Sequence, residues 1–253
     1  MTKTEINNAL LSALGFVAGF GSAFLGIGGG VIMVPILALF FRYDMKKAIG
    51  TSLATIVPAA LVGVITHFII QSNNIRLMGA LVIIVGSIVG AKGGAVLANK
   101  IHSKVLTVLF AALLLFIGLR QTGVIGPFIN ETSSGGVSPY LIVLGLAAGL
   151  CSALFGIGGG VVMVPALNLV FGFSMHAAIA TSLTVIVPTS LAGALFHAGF
   201  NNVEKSAVKL LVPTALIGAV LGAILSNALS GDILRLIFGV VLIILSARMF
   251  LHD

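Results

Sequence analysis

Two glycine tracts hold the first residues of this chain that could do chemistry. Gly26-Ile27-Gly28-Gly29-Gly30 and Gly156-Ile157-Gly158-Gly159-Gly160 each interrupt a long apolar run. Consecutive glycines disfavour a continuous helix, at about 1 kcal/mol each relative to Ala. A break there exposes main-chain N–H groups, and the helix resuming at Val31 or Val161 adds its positive dipole end. Irregular backbone at membrane depth persists only where protein or a wet cavity covers it. The spacing therefore predicts an anion cradle built from Gly28, Gly29, Gly30, Gly158, Gly159 and Gly160. Close helix packing is the other use of such glycines. Nucleotide-loop chemistry does not fit, because a GK[ST] sequence, a complete GxGxxG and a strand context are all missing.

Hydroxyls come next. Thr51-Ser52 and Thr181-Ser182 are each followed by a proline six residues after the serine, Pro58 and Pro188. Proline removes one N–H and frees the carbonyl four residues back, at Ala54 and Thr184. Broken helices of this kind give transporter sites their hydroxyls and loose backbone groups; the plainer reading is that Ser and Thr bond their own helix around a kink. Pro35, Pro58, Pro165 and Pro188 are the expected hinges. His67 and His197 near their segment ends could bind an anion or relay a proton, or serve as interfacial anchors. Asn168, the polar amide of its short segment, is a further candidate. Lys92 lies a few turns inside an apolar segment, as a functional charge or a snorkelling one. Gly86, Gly90 and Gly94, with Gly218 and Gly222, have the small-xxx-small spacing of helix packing.

The elements that must position these residues follow from a duplication. SAFLGIGGGVIMVP at Ser22 and SALFGIGGGVVMVP at Ser152 are identical at eleven of fourteen positions, at a spacing of 130. The match runs on through AIGTSLATIVP and AIATSLTVIVP, pairs His67 with His197, and resumes after a two-residue deletion with Asn73-Asn74 against Asn201-Asn202 and Asn99 against Asn227. Residues 1–125 and 139–253 are thus two homologous halves, joined by a linker at 126–138 within the Gly/Ser-rich stretch GPFINETSSGGVSP. The N-terminal stretch looks like a signal peptide, yet its equivalent recurs in the second half, so it is expected to belong to the fold.

Composition places the whole in a membrane. Of 253 residues, 59% are hydrophobic and only 8% charged, against roughly 25% charged in soluble domains. A soluble enzyme, a disulfide scaffold and a disordered chain are excluded. The net charge of +7 forms no basic stripe, so no nucleic-acid partner is expected. The lone Cys151 leaves no CxxC relay. No metal or other cofactor is expected, and no Asp or Glu lies within an apolar block, which disfavours carboxylate catalysis or a carboxylate proton relay. The bilayer is the expected surrounding, and a homodimer is one assembly open to the chain.

Each half has four apolar blocks, at about 8–41, 45–70, 77–99 and 105–125, then about 139–172, 175–200, 206–229 and 233–251. The first block of each half is too long for one ordinary crossing and reads as a hairpin of a longer and a shorter helix. That reading puts nine Lys and Arg on one side and three on the other, satisfying the positive-inside rule with both termini cytoplasmic. The expected fold is an all-α polytopic membrane protein with two inverted halves of about five helical elements each, multi-pass in the cell inner membrane. Four plus four parallel repeats is the alternative.

The paired GIGGGxxMVP tracts, each followed by TS-x5-P, resemble the TauE/SafE sulfite exporter family, also called the toluene-sulfonate uptake permease family, over nearly the whole chain. The resemblance rests on Gly26, Gly28–Gly30, Pro35, Thr51, Ser52 and Pro58, with Gly156, Gly158–Gly160, Pro165, Thr181, Ser182 and Pro188. It implies a transporter of sulfite or small organosulfonate anions, with an anion channel or a proton-coupled importer as alternatives. Export of an anion from an inside-negative cell gains about 2.3 kcal/mol per charge per 100 mV, so an exporter needs no coupled ion.

Overall fold

The computed structural model describes residues 3–71, 77–124 and 139–250. Asn73, Asn74, Arg76 and the 126–138 linker lie outside the described residues. Ten helices make up the described chain, with no strand among them. In the first half they are α1 (Lys3–Leu25), α2 (Gly30–Leu39), α3 (Met45–Ile70), α4 (Leu77–Lys100) and α5 (Ser103–Gln121). The second half repeats the order as α6 (Tyr140–Phe155), α7 (Gly160–Leu169), α8 (Met175–Gly199), α9 (Lys205–Ala228) and α10 (Gly231–Phe250). Six helices are long and apolar enough to cross a bilayer. Their outward faces carry exposed Leu61, Ile65, Val85, Val89, Leu195, Ile217 and Leu221, a surface for lipid rather than water.

The long first block of each half splits where the glycines stand. Gly26, Gly28 and Gly29 have φ of 69°, 82° and 71°, and Gly156, Gly158 and Gly159 have 73°, 73° and 84°. That left-handed backbone costs an L-residue roughly 1–2 kcal/mol per position, so the tract ends one helix and reverses the chain into the next. By contrast, α3 and α8 run through Pro58 and Pro188 as single helices. Of the two readings open there, a broken helix and a continuous one around the proline, the structure has the continuous one.

Close contacts set the helix directions. Gly15 and Gly19 of α1 lie against Leu211 and Ala215 of α9, while Phe16 and Phe20 lie over Gly218 and Gly222, so these two helices ascend together. Gly86, Gly90 and Gly94 of α4 meet the carbonyls of Ile142, Leu146 and Leu150 of α6 in the same parallel sense. The glycines thus take the packing role their spacing predicts, letting backbones touch. Two pairs of corresponding helices pack on each other in opposite directions. Leu53 of α3 packs on Gly193 of α8, and Leu183 of α8 packs on Gly63 of α3. In the second such pair, Gly118 of α5 faces Gly239 and Ile243 of α10, and Ser246 donates to Ala111 O at 2.8 Å.

Candidate functional site

The two glycine tracts meet each other. Gly30 lies against Gly156 O and Ile157 Cα, Gly160 lies against Gly26 O and Ile27 Cα, and Gly28 lies against Ile157 O. They cross in opposite senses, and residues 22–31 and 153–161 are buried throughout. One end of each tract is held by the other half. Ser52 Oγ donates to Gly156 O at 2.9 Å, and Ser182 Oγ donates to Gly26 O at 2.9 Å. These bonds occupy one carbonyl of each tract. Gly30 and Val31, and likewise Gly160 and Val161, start helices, so their N–H groups have no intrahelical acceptor. Both helices that begin here, α2 and α7, direct their positive ends to the crossing.

The remaining candidates frame this centre rather than line it. His67 Nε2 lies 2.9 Å from Ala23 O and His197 Nε2 lies 2.8 Å from Ala153 O. A carbonyl only accepts, so each ring carries its hydrogen on Nε2. The Nδ1 of His67 then accepts from Asn227 Nδ2 at 2.9 Å. Both histidines are 0% exposed and tie their helices to α1 and α6. Thr51 Oγ1 accepts from Glu204 N at 3.0 Å, at the start of α9 and away from the glycines. Thr181 is buried at the corresponding place on α8. Asn168 donates to Phe173 O at 2.8 Å and closes the turn after α7, a structural task that leaves it remote from the crossing. Pro35 and Pro165 sit mid-way along α2 and α7. Lys92 is exposed on the outer face of α4. Cys151 is a free thiol on α6.

Reading by motif missed the hydroxyls beside the tracts. Ser22, Ser152 and Ser190 are at most 1% exposed, and their Oγ atoms have no hydrogen-bond partner. Ser87 Oγ and Thr189 Oγ1 form a pair at 2.6 Å. The signal available in the sequence was a difference between the halves, since Ser87, Thr189 and Ser190 oppose Ala215, Ala59 and Ala60 in the repeat.

A polar rim closes one end of the helices. Lys46 Nζ donates to Asn99 O at 2.8 Å, and Lys47 pairs with Glu204 at 3.7 Å. The Ser206 hydroxyl, donating at 2.7 Å, holds the Glu204 carboxyl below its ordinary range, with Lys47 adding to the effect. Burial, and then Glu204, push the nearby Tyr43 phenol up. At the opposite end His176 reaches Ser226 O and Leu229 O at 3.2 and 3.0 Å, occupying the place Lys46 takes in the first half. Among the described residues no cluster of His, Cys, Asp or Glu suited to a metal is present.

Comparison with known proteins agrees with this architecture. The chain is 29% identical to Probable membrane transporter protein YunE of Bacillus subtilis, over 95% of this chain and 96% of that one. It is 31% identical to a probable membrane transporter protein of Methanocaldococcus jannaschii, over 74% and 71% of the two chains. A probable membrane transporter protein of Haemophilus influenzae is 30% identical over 94% and 96%. No solved structure matches the chain. The family model described as Sulfite exporter TauE/SafE matches residues 2–121 and 141–253, and the chain belongs to that family.

Proposed function

We propose that this protein is a secondary transporter that carries sulfite or a small organosulfonate anion out of the cell by alternating access. The observation that carries the reading is the buried crossing of two left-handed glycine tracts, each starting a helix whose N-terminal end lies at the crossing. Amide N–H groups and two converging dipole ends attract a small oxyanion without a fixed positive charge that would hold it too tightly to leave. In this reading Gly28–Gly30 and Gly158–Gly160 contact the anion. Ser52 and Ser182 shape the cradle by taking up its carbonyls, and Thr51, Thr181, His67 and His197 keep the surrounding helices in register.

The halves are inverted repeats in this proposal, related by a pseudo-two-fold axis in the membrane plane. Antiparallel packing of α3 on α8 and of α5 on α10 supports that, because an axis along the helices would leave corresponding helices parallel. The crossing then lies near the midplane. Orientation rests on charge: Arg42, Lys46, Lys47, Lys100, Lys104, Lys205, Lys209 and Arg248 gather at one end of the bundle, with Arg120 and Arg235 at the other. The richer end faces the cytoplasm, with both termini, in the inner membrane.

Reconstitution into liposomes tests this. Radiolabelled sulfite flux should saturate and be accelerated by unlabelled sulfite or a small sulfonate on the far side, with sulfate and taurine as comparison solutes. Conductance far above carrier turnover would replace the carrier with a channel, and absence of flux for every anion would overturn the reading.

A further inference from the structure

The two halves agree in backbone at the glycine crossing and differ in the side chains beside it. On one flank, where α3 and α9 pack against α1, Ala59 and Ala215 belong to a buried alanine cluster with Ala23, Ala219 and Ala223. The corresponding positions on the α4, α6 and α8 flank are Thr189 and Ser87, and Ser190 stands where the first half has Ala60. Alanine evidently packs in these places. A buried hydroxyl without a partner is the costlier choice; Ser22 and Ser152 place one on each flank, but Ser190 has only Ala60 opposite it, and that one-sided hydroxyl asks for a ligand.

Geometry aims these hydroxyls at the tract. Ser190 Oγ is 3.1 Å from the point where a methyl group on Gly158 would sit, so it looks directly at the second glycine tract. Gly149 of α6 packs on the backbone of Ser87, and Ser152 follows it by about one turn. Both Ser152 and Ser190 are 0% exposed, and their hydroxyls are unpartnered. Ser87 and Thr189 share a bond at 2.6 Å, while Ser87 also reaches Ile84 O at 2.9 Å and Thr189 reaches Val185 O at 2.7 Å. Two hydroxyl hydrogens thus serve three contacts, and one can turn to a new acceptor while the other keeps the pair joined.

We infer that the anion binds off the pseudo-two-fold axis, with its oxygens on the hydroxyl flank and its remaining face toward the alanine flank. Ser152 and Ser190 donate to the oxygens beside the amides of the second tract, and the Ser87–Thr189 pair supports them. Apart from Ser22, the alanine flank has methyl groups at the places of Ser190, Thr189 and Ser87, which suits a face that makes few hydrogen bonds: the sulfur lone pair of sulfite or the carbon substituent of a sulfonate. Sulfate has acceptor oxygens in every direction and would leave one unpaired. The assignment deepens the proposed function and rests on it.

The test measures radiolabelled sulfite uptake, with competition by methanesulfonate and sulfate, for the whole chain in liposomes. Ser152→Ala and Ser190→Ala should each raise KM about 10- to 100-fold, the factor expected when a hydrogen bond to a charged group is lost. Ser190→Cys, nearly isosteric, should also raise KM and guards against a variant that fails to fold. Ser22→Ala, the symmetry mate of Ser152→Ala on the alanine flank, should stay within about twofold of the parent, as expected where no bond to the anion is lost. Methanesulfonate should compete with sulfite and sulfate should not. Equal effects of Ser22→Ala and Ser152→Ala, or unchanged KM in Ser152→Ala and in both Ser190 variants, would overturn the off-axis site while transport by the parent stands. A parent chain that moves none of these anions overturns both readings.

Discussion

Gly30→Ala is the most direct perturbation of the crossing. Gly30 lacks the left-handed φ of Gly29, so alanine meets no backbone strain there and the variant isolates space alone. Its methyl group would overlap Gly156 O and lie 2.8 Å from both Gly156 C and Ile157 Cα. Carbon atoms rest at about 3.5–4 Å, so the tracts must part by roughly 1 Å. Overpacking of this kind costs about 1–3 kcal/mol. Gly156 O also accepts the Ser52 hydrogen bond, which displacement would weaken by up to about 1 kcal/mol. Alanine in a helix returns about 1 kcal/mol over glycine. With that hydrogen bond fully lost, the net penalty on the state with touching tracts is about 1–3 kcal/mol, a factor of roughly 5 to 150 in population. The assay pairs thermal unfolding in detergent with sulfite flux in liposomes, using Gly93→Ala as control because nothing lies within 4 Å of a methyl group there. Gly30→Ala should melt lower and lose most of its flux. Gly160→Ala should behave alike, since it overlaps Gly26 O, and the double variant should cost less than the sum because both part the same crossing. A Gly30→Ala protein that melts and transports like Gly93→Ala would refute the reasoning.

Other outcomes follow from the same geometry. Ser52→Ala and Ser182→Ala should each lower stability by about 1 kcal/mol, with an unfolding midpoint below that of the parent; no change in either would remove the cross-half bonds from the account. The Glu204 carboxyl has a folded pKa below its ordinary value, so its contribution is present above the unfolded value and lost as pH falls through the folded one. Glu204→Gln should therefore lower the midpoint at neutral pH by no more than the about 0–1 kcal/mol of an exposed pair, and should flatten the acid limb; an unchanged acid limb would contradict the assignment. In a Cys151→Ser background, Asp44→Cys should be labelled from the cytoplasm and Ser230→Cys from outside, and the reverse pattern would invert the orientation. Pro58→Ala and Pro188→Ala should raise stability while slowing flux, and undiminished flux in both would deny the prolines a role in movement.

How far the sequence could be read depended on whether a feature is local. Glycine tracts break a helix by backbone chemistry alone, so α1–α2 and α6–α7 were legible, as were the parallel glycine seams at Gly86–Gly94 and Gly218–Gly222. Thr51 and Ser52 are adjacent in sequence yet point to different neighbours, Glu204 N and Gly156 O, and only the packing of α3 against α9 and the α6–α7 junction decides that. His67 and His197 looked available for chemistry because their partners, Ala23 O and Ala153 O, are 44 residues away. Pro58 and Pro188 left broken and continuous helices both open in the sequence, and only the folded chain shows the helices whole. Ser190 belongs to no motif the halves share, and its information lies in where they differ, with Ala60 at the corresponding position.

The attachments of α3 and α8 give the proposed movement a mechanical basis. Ser52, in the first third of α3, grips the glycine tract of the second half, whereas His67, near the end of the same helix, grips α1 of its own half. Pro58 lies between the two grips and leaves the Ala54 carbonyl without its helical donor. On α8 the order repeats: Ser182 holds Gly26, Pro188 follows, and His197 holds Ala153. Each long helix is thus bound to both halves with a weakened turn between the bonds. Bending at that turn shifts one grip relative to the other, and because α3 and α8 run antiparallel, the two bends open toward opposite sides of the crossing. In the proposed alternating access, a rocking motion would expose the crossing to one side at a time while all four tethers remain made, which would tie the duplication of the sequence to alternation of the site.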